Sequence, residues 1–316
     1  MNDKRILITG GAGFLGRNMI KKYYDNNEIT IFSRDEAKHY YIKKQFPKIN
    51  CIIGDIVDKE SLIKAGKGHD IGIFAASLKQ IESVDQNYEI SSRTIINGAF
   101  NSRRCAEDNN FETACFISSD KSRAATTLYG SMKYVAGESF IINDKKEYDV
   151  RLSTAIYGNV SNSTGSIIPL MWDAIHNGYE LQLYSEEMTR FMLDIDEAID
   201  VVEAALGVSG YNVIPKAKSF KIKDLFEIFN EEFGLEYITT HPRISEKIHE
   251  IMISSEEIPR TIESNDSDYF LMHHKIVSND LEFNNNEFSS RDVVLSKGEL
   301  GEKLLLNNFY KIRNKN

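Results

Sequence analysis

Five prolines and one tryptophan are spread over 316 residues, and cysteine occurs three times. With so little proline there is no Pro-rich linker, and no repeat or low-complexity tract divides the chain. Cys51, Cys105 and Cys115 are odd in number and lack metal-ligand spacing. That excludes a disulfide framework and a zinc module, and points to a reduced, cytoplasmic protein. No apolar run reaches the roughly 18 residues that a membrane span needs. The start, "MNDKRILITGG", lacks a secretory leader's apolar core, because its apolar stretch breaks at glycine. Basic excess is missing too. There are 38 Lys and Arg against 47 Asp and Glu, a net charge of -9, which argues against a nucleic-acid partner. "HH" at 273–274 has no metal-type spacing around it and adjacent side chains diverge in most backbones, so no metal is expected.

The chain does have a strong alternation. Short apolar runs at 5–9, 28–32, 49–53, 70–76, 113–119 and 149–158 alternate with helical stretches, among them 14–24, 87–109 and 127–143. Continuous apolar strands between helices predict an α/β fold, a doubly wound parallel sheet buried on both faces. After about residue 157 the rhythm becomes irregular. A polar loop (158–166) precedes a helix with Pro169 near its start, in which Trp172 reads as core. A strand-to-helix run (189–207) follows, with Asp196 as the expected cap. "SFKIKDLFEIFNEEFG" reads as an amphipathic helix, and "NDLEFNNNEFSS" as the least structured stretch. The expected division is a dinucleotide-binding domain at 1–156 plus about 189–214, and a smaller C-terminal lobe at 157–188 plus about 215–316.

"TGGAGFLG" (9–16) joins the first strand to the first helix. Glycines there permit a tight turn and let the backbone approach a pyrophosphate, while the helix N-terminus offers free N–H groups and partial positive charge. This is the phosphate loop of a Rossmann-type site; a turn serving packing alone is the alternative. Gly10, Gly13, Phe14, Leu15 and Gly16 are the expected contacts. In "FSRDEAK", Ser33 and Arg34 stand where an NAD site carries an acid. A guanidinium suits a 2′-phosphate, so NADP is the expected cofactor. Asp35, one position later, keeps NAD as the alternative. Asp55 and Ile56 in "GDIVD" are expected at the adenine edge, with a helix N-cap as the other reading of Asp55. Ala75, Ala76, Tyr129 and Lys133 complete the cofactor set.

"SSDKSRAATTLYGSMK" (118–133) puts Tyr129 and Lys133 on one helical face. A nearby ammonium lowers a phenol's pKa from about 10 and makes it usable as a base. Tyr40-x-x-x-Lys44 has the same spacing and reads as surface helix. The 129–133 copy follows the fifth strand, at the carboxyl edge where such sheets bind ligands. With Ser118 and Ser119 upstream, it resembles the serine/tyrosine/lysine set of the extended short-chain dehydrogenases/reductases. Asp120-Lys121 narrows the resemblance. Ordinary nucleotide-sugar 4,6-dehydratases carry Asp-Glu in this loop; an Asp-Lys pair resembles the inverting UDP-N-acetylglucosamine 4,6-dehydratases of pseudaminic-acid and capsule-sugar biosynthesis. "AASLKQIES", "YGNV", "MTRF" and "EKIHEIMIS" agree, and the resemblance runs from residue 5 to about 255.

The resemblance implies a lyase that moves hydride internally from C4 to C6 through NADP. Tyr129 takes the 4-hydroxyl proton, assisted by Lys133 and Ser119. Lys121 removes the C5 proton, for which it must be neutral at that moment, as desolvation allows, and Asp120 protonates the departing 6-hydroxyl; a charged lysine would keep that Asp ionised, so the pair is expected to behave as coupled. Lys79, Asn159, Arg190, Arg243 and Glu246 are the implied contacts to a nucleotide-sugar substrate, while His249 reads as structural. Ile95, Ile156, Thr164 and Ile244-Ser245 depart from the family pattern, Ile156 and Thr164 replacing arginines. The long helices imply a homo-oligomer, and no membrane partner is implied. A nucleotide-sugar 4-epimerase and a non-catalytic NADP-binding regulator are the competing readings. An epimerase has no use for the Asp-Lys pair.

Overall fold

Ile6, Leu7 and Ile8 have no exposed surface. A strand apolar on both faces belongs inside a sheet covered on both sides. The computed structural model, which describes residues 1–142, 149–277, 281–307 and 309, has that arrangement. Its first strands are β1 (Arg5–Thr9), β2 (Glu28–Ser33), β3 (Asn50–Ile53), β4 (Ile71–Phe74), β5 (Thr113–Ile117) and β6 (Arg151–Ala155). All pair in parallel, in the order β6-β5-β4-β1-β2-β3. The order reverses between β1 and β4, and a cleft forms there beyond the strand ends. The expected doubly wound, Rossmann-type α/β fold is the one observed.

The connections form α1 (Phe14–Tyr23), α2 (Glu36–Gln45), α3 (Lys59–Gly66), α4 (Ile81–Gln86), α5 (Tyr88–Ser92), α6 (Gly98–Asp108) and α7 (Leu128–Ile141). The helical stretch expected at 87–109 is observed as Tyr88–Asp108, and non-helical Asn87 separates it from α4. It also contains a π turn, Arg93–Asn97, whose extra residue rotates the following face. Ile95 is buried there, beside Thr94 at the edge of the cleft. Leu7, Phe74 and Phe116 pack toward the α3, α6 and α7 side, and Ile6, Ile8 and Ile31 toward the other.

The rest of the chain adds β7 (Asn159–Val160), α8 (Ile167–Asn177), β8 (Leu181–Leu183), β9 (Thr189–Leu193), α9 (Ile195–Leu206), β10 (Tyr211–Pro215), β11 (Ser219–Lys221), α10 (Ile222–Phe233) and β12 (Tyr237–Thr239). Then come β13 (Ile251–Ile253), β14 (Thr261–Glu263), β15 (Tyr269–His273), β16 (Phe288–Ser289) and α11 (Lys297–Leu306). The α9 cap is Asp194, not Asp196. Asp194 accepts from the Glu197 N–H while the Glu197 side chain accepts from Asp194, a reciprocal box that Asp196, already in the first turn, cannot make. β10 continues the sheet in parallel beside β6. β15 and β14 then extend that edge antiparallel, so 261–273, expected in the smaller lobe, joins the main sheet. α8, α10 and α11 close a separate apolar cluster around Trp172, a core residue as expected. In "NDLEFNNNEFSS", 279–280 lie outside the described residues. The remainder is more ordered than expected: β16 pairs with β13, and Ser289 and Ser290 are buried.

A buried ionic network ties the lobe to the sheet. Arg123, in the loop after β5, has no exposed surface. Its Nη1 donates to Glu138 of α7 at 3.0 Å and to Glu257 at 2.8 Å. Arg260 donates to the same two carboxylates at 2.9 and 2.6 Å. Burial alone would raise the Glu138 carboxyl, but Arg123 and Arg260 hold it below its ordinary value. Removing one partner of a buried pair leaves an uncompensated charge. Glu138→Ala is therefore expected to cost about 3–5 kcal/mol in chemical denaturation.

Candidate active site

Gly10 ends β1 with φ +66°, and a Cβ there would stand 2.9 Å from the Cα and N of Ala76. A Cβ on Gly16 would stand 2.5 Å from Gly11. The bare backbone at the α1 N-terminus thus makes a cradle that side chains would fill, and its shape and polarity fit a pyrophosphate. It opens into a cleft of about 770 Å³. Gly13, Phe14, Leu15, Ser33, Arg34, Asp55, Ile56, Ala75 and Ala76 border that cleft. Arg34 stands 3.5 Å from Asp55. Asp58, not Asp55, caps α3, and Asp55 instead accepts from the Val57 N–H in the preceding turn. Asp35 caps α2 and pairs with Lys38 at 2.7 Å. Ser33 Oγ lies 2.6 Å from Nε2 of buried His39.

At the other end of the cleft the chain after β5 makes one tight turn, Asp120–Ser122, and enters α7. Thr127 caps α7 by accepting from the Gly130 N–H. Gly130 is required sterically: a Cβ there would fall 2.1 Å from the Lys121 carbonyl oxygen. This close approach sets the Asp120-Lys121 turn against the helix that carries Tyr129 and Lys133. Asp120 is 1% exposed. Its Oδ1 accepts from Ser119 Oγ and from the Lys121 N–H, both at 2.8 Å. Its Oδ2 is buried with no hydrogen-bond partner among the described residues. Lys121 Nζ stands 3.4 Å from Asp120 Oδ1 and 3.1 Å from Glu250 Oε1. Lys133 Nζ donates to the Ile117 carbonyl at 2.9 Å.

Burial is the main force raising the Asp120 carboxyl, and Glu250 adds to it against the pull of Lys121. Burial also disfavours the Lys121 ammonium, but Asp120 and Glu250 more than offset it, so the amine is raised above its ordinary value. The expectation that desolvation leaves Lys121 neutral is thus corrected: two carboxylates keep it charged. Burial pushes the Tyr129 phenol up to about 12, and Lys121 rather than Lys133 is the cation that opposes this. Lys133 is brought down to about 7 by burial.

Of the expected substrate contacts, Lys79 and Asn159 border the cleft. The Lys79 ammonium donates to the Thr164 carbonyl across the mouth. Arg190, Arg243 and Glu246 do not border it. Arg190 is 6% exposed and donates to Glu246 at 2.9 Å and to the Thr189 carbonyl at 2.7 Å, because carboxylate and carbonyl groups already surround its buried guanidinium. Arg243, outside the cleft, pairs with Glu82 and with Glu246 at 2.7 Å. Ile156 is buried among Phe191, Ile214 and Met252, so its position faces apolar packing. Ser245, where the family pattern has glycine, sits in the left-handed region at φ +65°. Adjacent His273 and His274 do not diverge, for their ring centroids are 4.2 Å apart. His249 is structural, its Nδ1 2.8 Å from Thr189 Oγ1. Among the described residues no three His, Cys, Asp or Glu side chains are grouped to hold a metal, and no helix is long and apolar enough to cross a membrane. Glu250, Lys247 and Gly130 were not anticipated. Glu250 lies inside the quoted stretch "EKIHEIMIS", but its charge pattern alone does not tell which carboxylate turns inward.

A model of the polysaccharide biosynthesis protein family matches residues 6–272. The chain belongs to this family, a branch of the extended short-chain dehydrogenases/reductases. It is 33% identical over 315 residues to a Campylobacter jejuni protein named UDP-N-acetylglucosamine 4,6-dehydratase (inverting), covering 96% of this chain and 90% of that one. It is 31% identical over 274 residues to a Rickettsia massiliae protein named UDP-glucose 4-epimerase, covering 82% and 80%. The structure of Pen from Bacillus thuringiensis superposes with a TM-score of 0.88 at 23% identity, over 98% of this chain and 99% of that one, a likeness of fold.

A lysine whose folded pKa lies below its unfolded 10.5 releases its proton on folding, so its burial costs most below about pH 7 and least above 10.5. In the protein without added cofactor, the Tm of Lys133→Met minus that of wild type is expected to fall as pH rises from 7 toward 10. Thermal melts across that range read it, and a flat difference would contradict it.

Proposed function

We propose that the protein is a nucleotide-sugar 4,6-dehydratase, a hydro-lyase that uses NADP and acts on UDP-N-acetylglucosamine with inversion at C5. The observation that carries the reading is a buried acid beside a half-buried amine, Asp120 and Lys121, on the same cleft as Tyr129 and the glycine cradle. Gly10, Gly13, Gly16, Ser33 and Arg34 would hold the dinucleotide, with its pyrophosphate at the α1 N-terminus. When bound, the dinucleotide would supply the hydride-transfer chemistry at C4 and C6.

The chain's own residues handle the protons. Tyr129, as the phenolate that the Lys121 cation favours, accepts the 4-hydroxyl proton and becomes the phenol. A ketone at C4 acidifies the neighbouring C5–H. Lys121 takes that proton, and Asp120, raised by burial, delivers one to the departing 6-hydroxyl. The resting pair, Asp120 carboxylate with Lys121 ammonium, holds the same number of protons as the reactive pair, Asp120 acid with Lys121 amine. One transfer between Nζ and Oδ1 interconverts them, so the two titrate as a unit. Lys79 and Asn159 lie where substrate groups would meet the cleft mouth. The epimerase reading leaves the Asp120-Lys121 pair without a task.

Incubation with UDP-N-acetylglucosamine in D₂O, followed by proton NMR, tests the reaction. A new C6 methyl signal with deuterium at C5 is expected, with ring couplings that report inversion. An axial–equatorial change at C4 alone would favour the epimerase.

The NADP reading rests on Arg34 bordering the cleft while Asp35 is committed to Lys38 and the α2 cap. A charge-assisted contact contributes about 1.5–3 kcal/mol. Arg34→Ala is therefore expected to weaken NADP binding roughly 10- to 100-fold and NAD binding little. Equal losses for both, by titration calorimetry, would contradict it.

A further inference from the structure

Glu250 has no part in the reaction as described, yet it makes the closest carboxylate contact to the Lys121 amine, 3.1 Å against 3.4 Å for Asp120. We propose that Glu250 is a positioning residue of the proton-transfer site: it holds the Lys121 amine in place beside Asp120 and stabilises the ammonium formed when Lys121 takes the C5 proton. This rests on the dehydratase reading above.

The carboxylate is held by its surroundings. Glu250 is 3% exposed. Its N–H donates to Ser290 Oγ at 2.9 Å, and its carbonyl accepts from the Ser290 N–H at 2.8 Å and from Ser289 Oγ at 3.3 Å. Thr189 Oγ1 bridges Ser290 Oγ and His249 Nδ1 at 2.7 and 2.8 Å, fixing the residue before it. Backbone contacts from β9 and β16 thus aim one side chain at the turn after β5.

The bland reading is a structural counter-ion. Four charged groups face Glu250: Lys121 and Asp120 from the turn, Arg190 from β9, and Lys247 from the segment before β13. Arg190 already has Glu246 at 2.9 Å, and its distance to Glu250 is 3.7 Å. Lys247 donates to the Arg123 carbonyl at 2.6 Å and stands 3.8 Å from Glu250. Both cations have better partners elsewhere, whereas Lys121 has its nearest carboxylate in Glu250. Glu250 Oε2 is buried with no hydrogen-bond partner among the described residues, which a carboxylate placed only for packing and pairing has no reason to keep.

The proton balance gives the residue its task. In the elimination the C5–H bond breaks and its proton forms an N–H bond on Lys121. The electron pair left at C5 becomes the C5–C6 double bond as the C6–O bond breaks. Asp120 gives its proton to the departing oxygen, which leaves as water. Positive charge therefore appears at Nζ beside the buried Glu250 carboxylate, whose fixed charge favours it. Glu250 also favours the protonated form of Asp120.

Replacing the carboxylate by an amide removes a negative charge from the cluster, so both Asp120 and Lys121 should release their protons at lower pH. Glu250→Gln is expected to lower kcat for UDP-N-acetylglucosamine roughly 10- to 100-fold, with KM changed less than about threefold. The pH dependence of C5 deuterium exchange into the isolated 4-keto-6-deoxy product, which needs Lys121 but no net redox change, should move to lower pH. Glu250→Asp keeps the charge at a longer distance, and its profile should fall between the two. If the amide variant does not fold, the aspartate variant decides by the same displacement. Unmoved profiles, or a lowered Tm with kcat and pH dependence unchanged, would overturn the proposal while leaving the dehydratase reading standing. No conversion of any nucleotide sugar by the wild-type protein would overturn that reading, and this inference with it.

Discussion

The site depends on one ammonium held between two buried carboxylates. Lys121 and Asp120 come from the turn after β5, and Glu250 comes from the second half of the chain. At low local dielectric such a cluster is strong but unforgiving, because removing one member strands the others. Arg190 and Lys247 lie close enough to offset the second carboxylate. The acid–base pair therefore exists in this form only while the lobe is docked on the sheet. Two residues further along, Arg123 makes the same kind of connection through Glu257. Gly130 completes it by letting the Lys121 carbonyl rest against α7.

This constraint also governs protonation. Burial raises Asp120, lowers Lys133 and raises Tyr129, so neutral forms are favoured around the cleft. Lys121 is the exception, since its partners outweigh burial. A lysine kept charged at rest makes a poor base until its proton moves. Asp120, with a raised pKa and its Oδ1 3.4 Å from Nζ, is the group positioned to receive it. An ion pair and its neutral tautomer then interconvert without exchanging protons with solvent.

What the sequence made legible was local. Apolar runs marked the parallel strands because a strand buried on both faces can hold little else. The glycine loop and the 118–133 stretch were readable because their residues act within one turn of each other. The Asp194 cap was written as Asp-x-x-Glu and was still misassigned by two positions, since Asp196 fits a first turn equally well. Long-range pairing was not legible. Arg123 and Glu257 meet across 134 positions, and no spacing rule announces it. Arg190, Arg243 and Glu246 were expected as ligand contacts only because the family resemblance implied it. The fold instead pairs them with one another and with Glu82 and Glu250. A neutral Lys121 followed from burial alone, and Asp120 and Glu250 together outweigh that burial.

The most direct test is a site-resolved NMR titration of the lysine side chains in the ligand-free protein, with Lys121→Met and Lys133→Met variants to assign the signals. Lys133 should titrate near 7, while Lys121 should remain an ammonium beyond the ordinary lysine value of 10.5. A Lys121 signal that titrates below 10.5 would show that the two carboxylates do not hold it, and the account built on that cluster would fail.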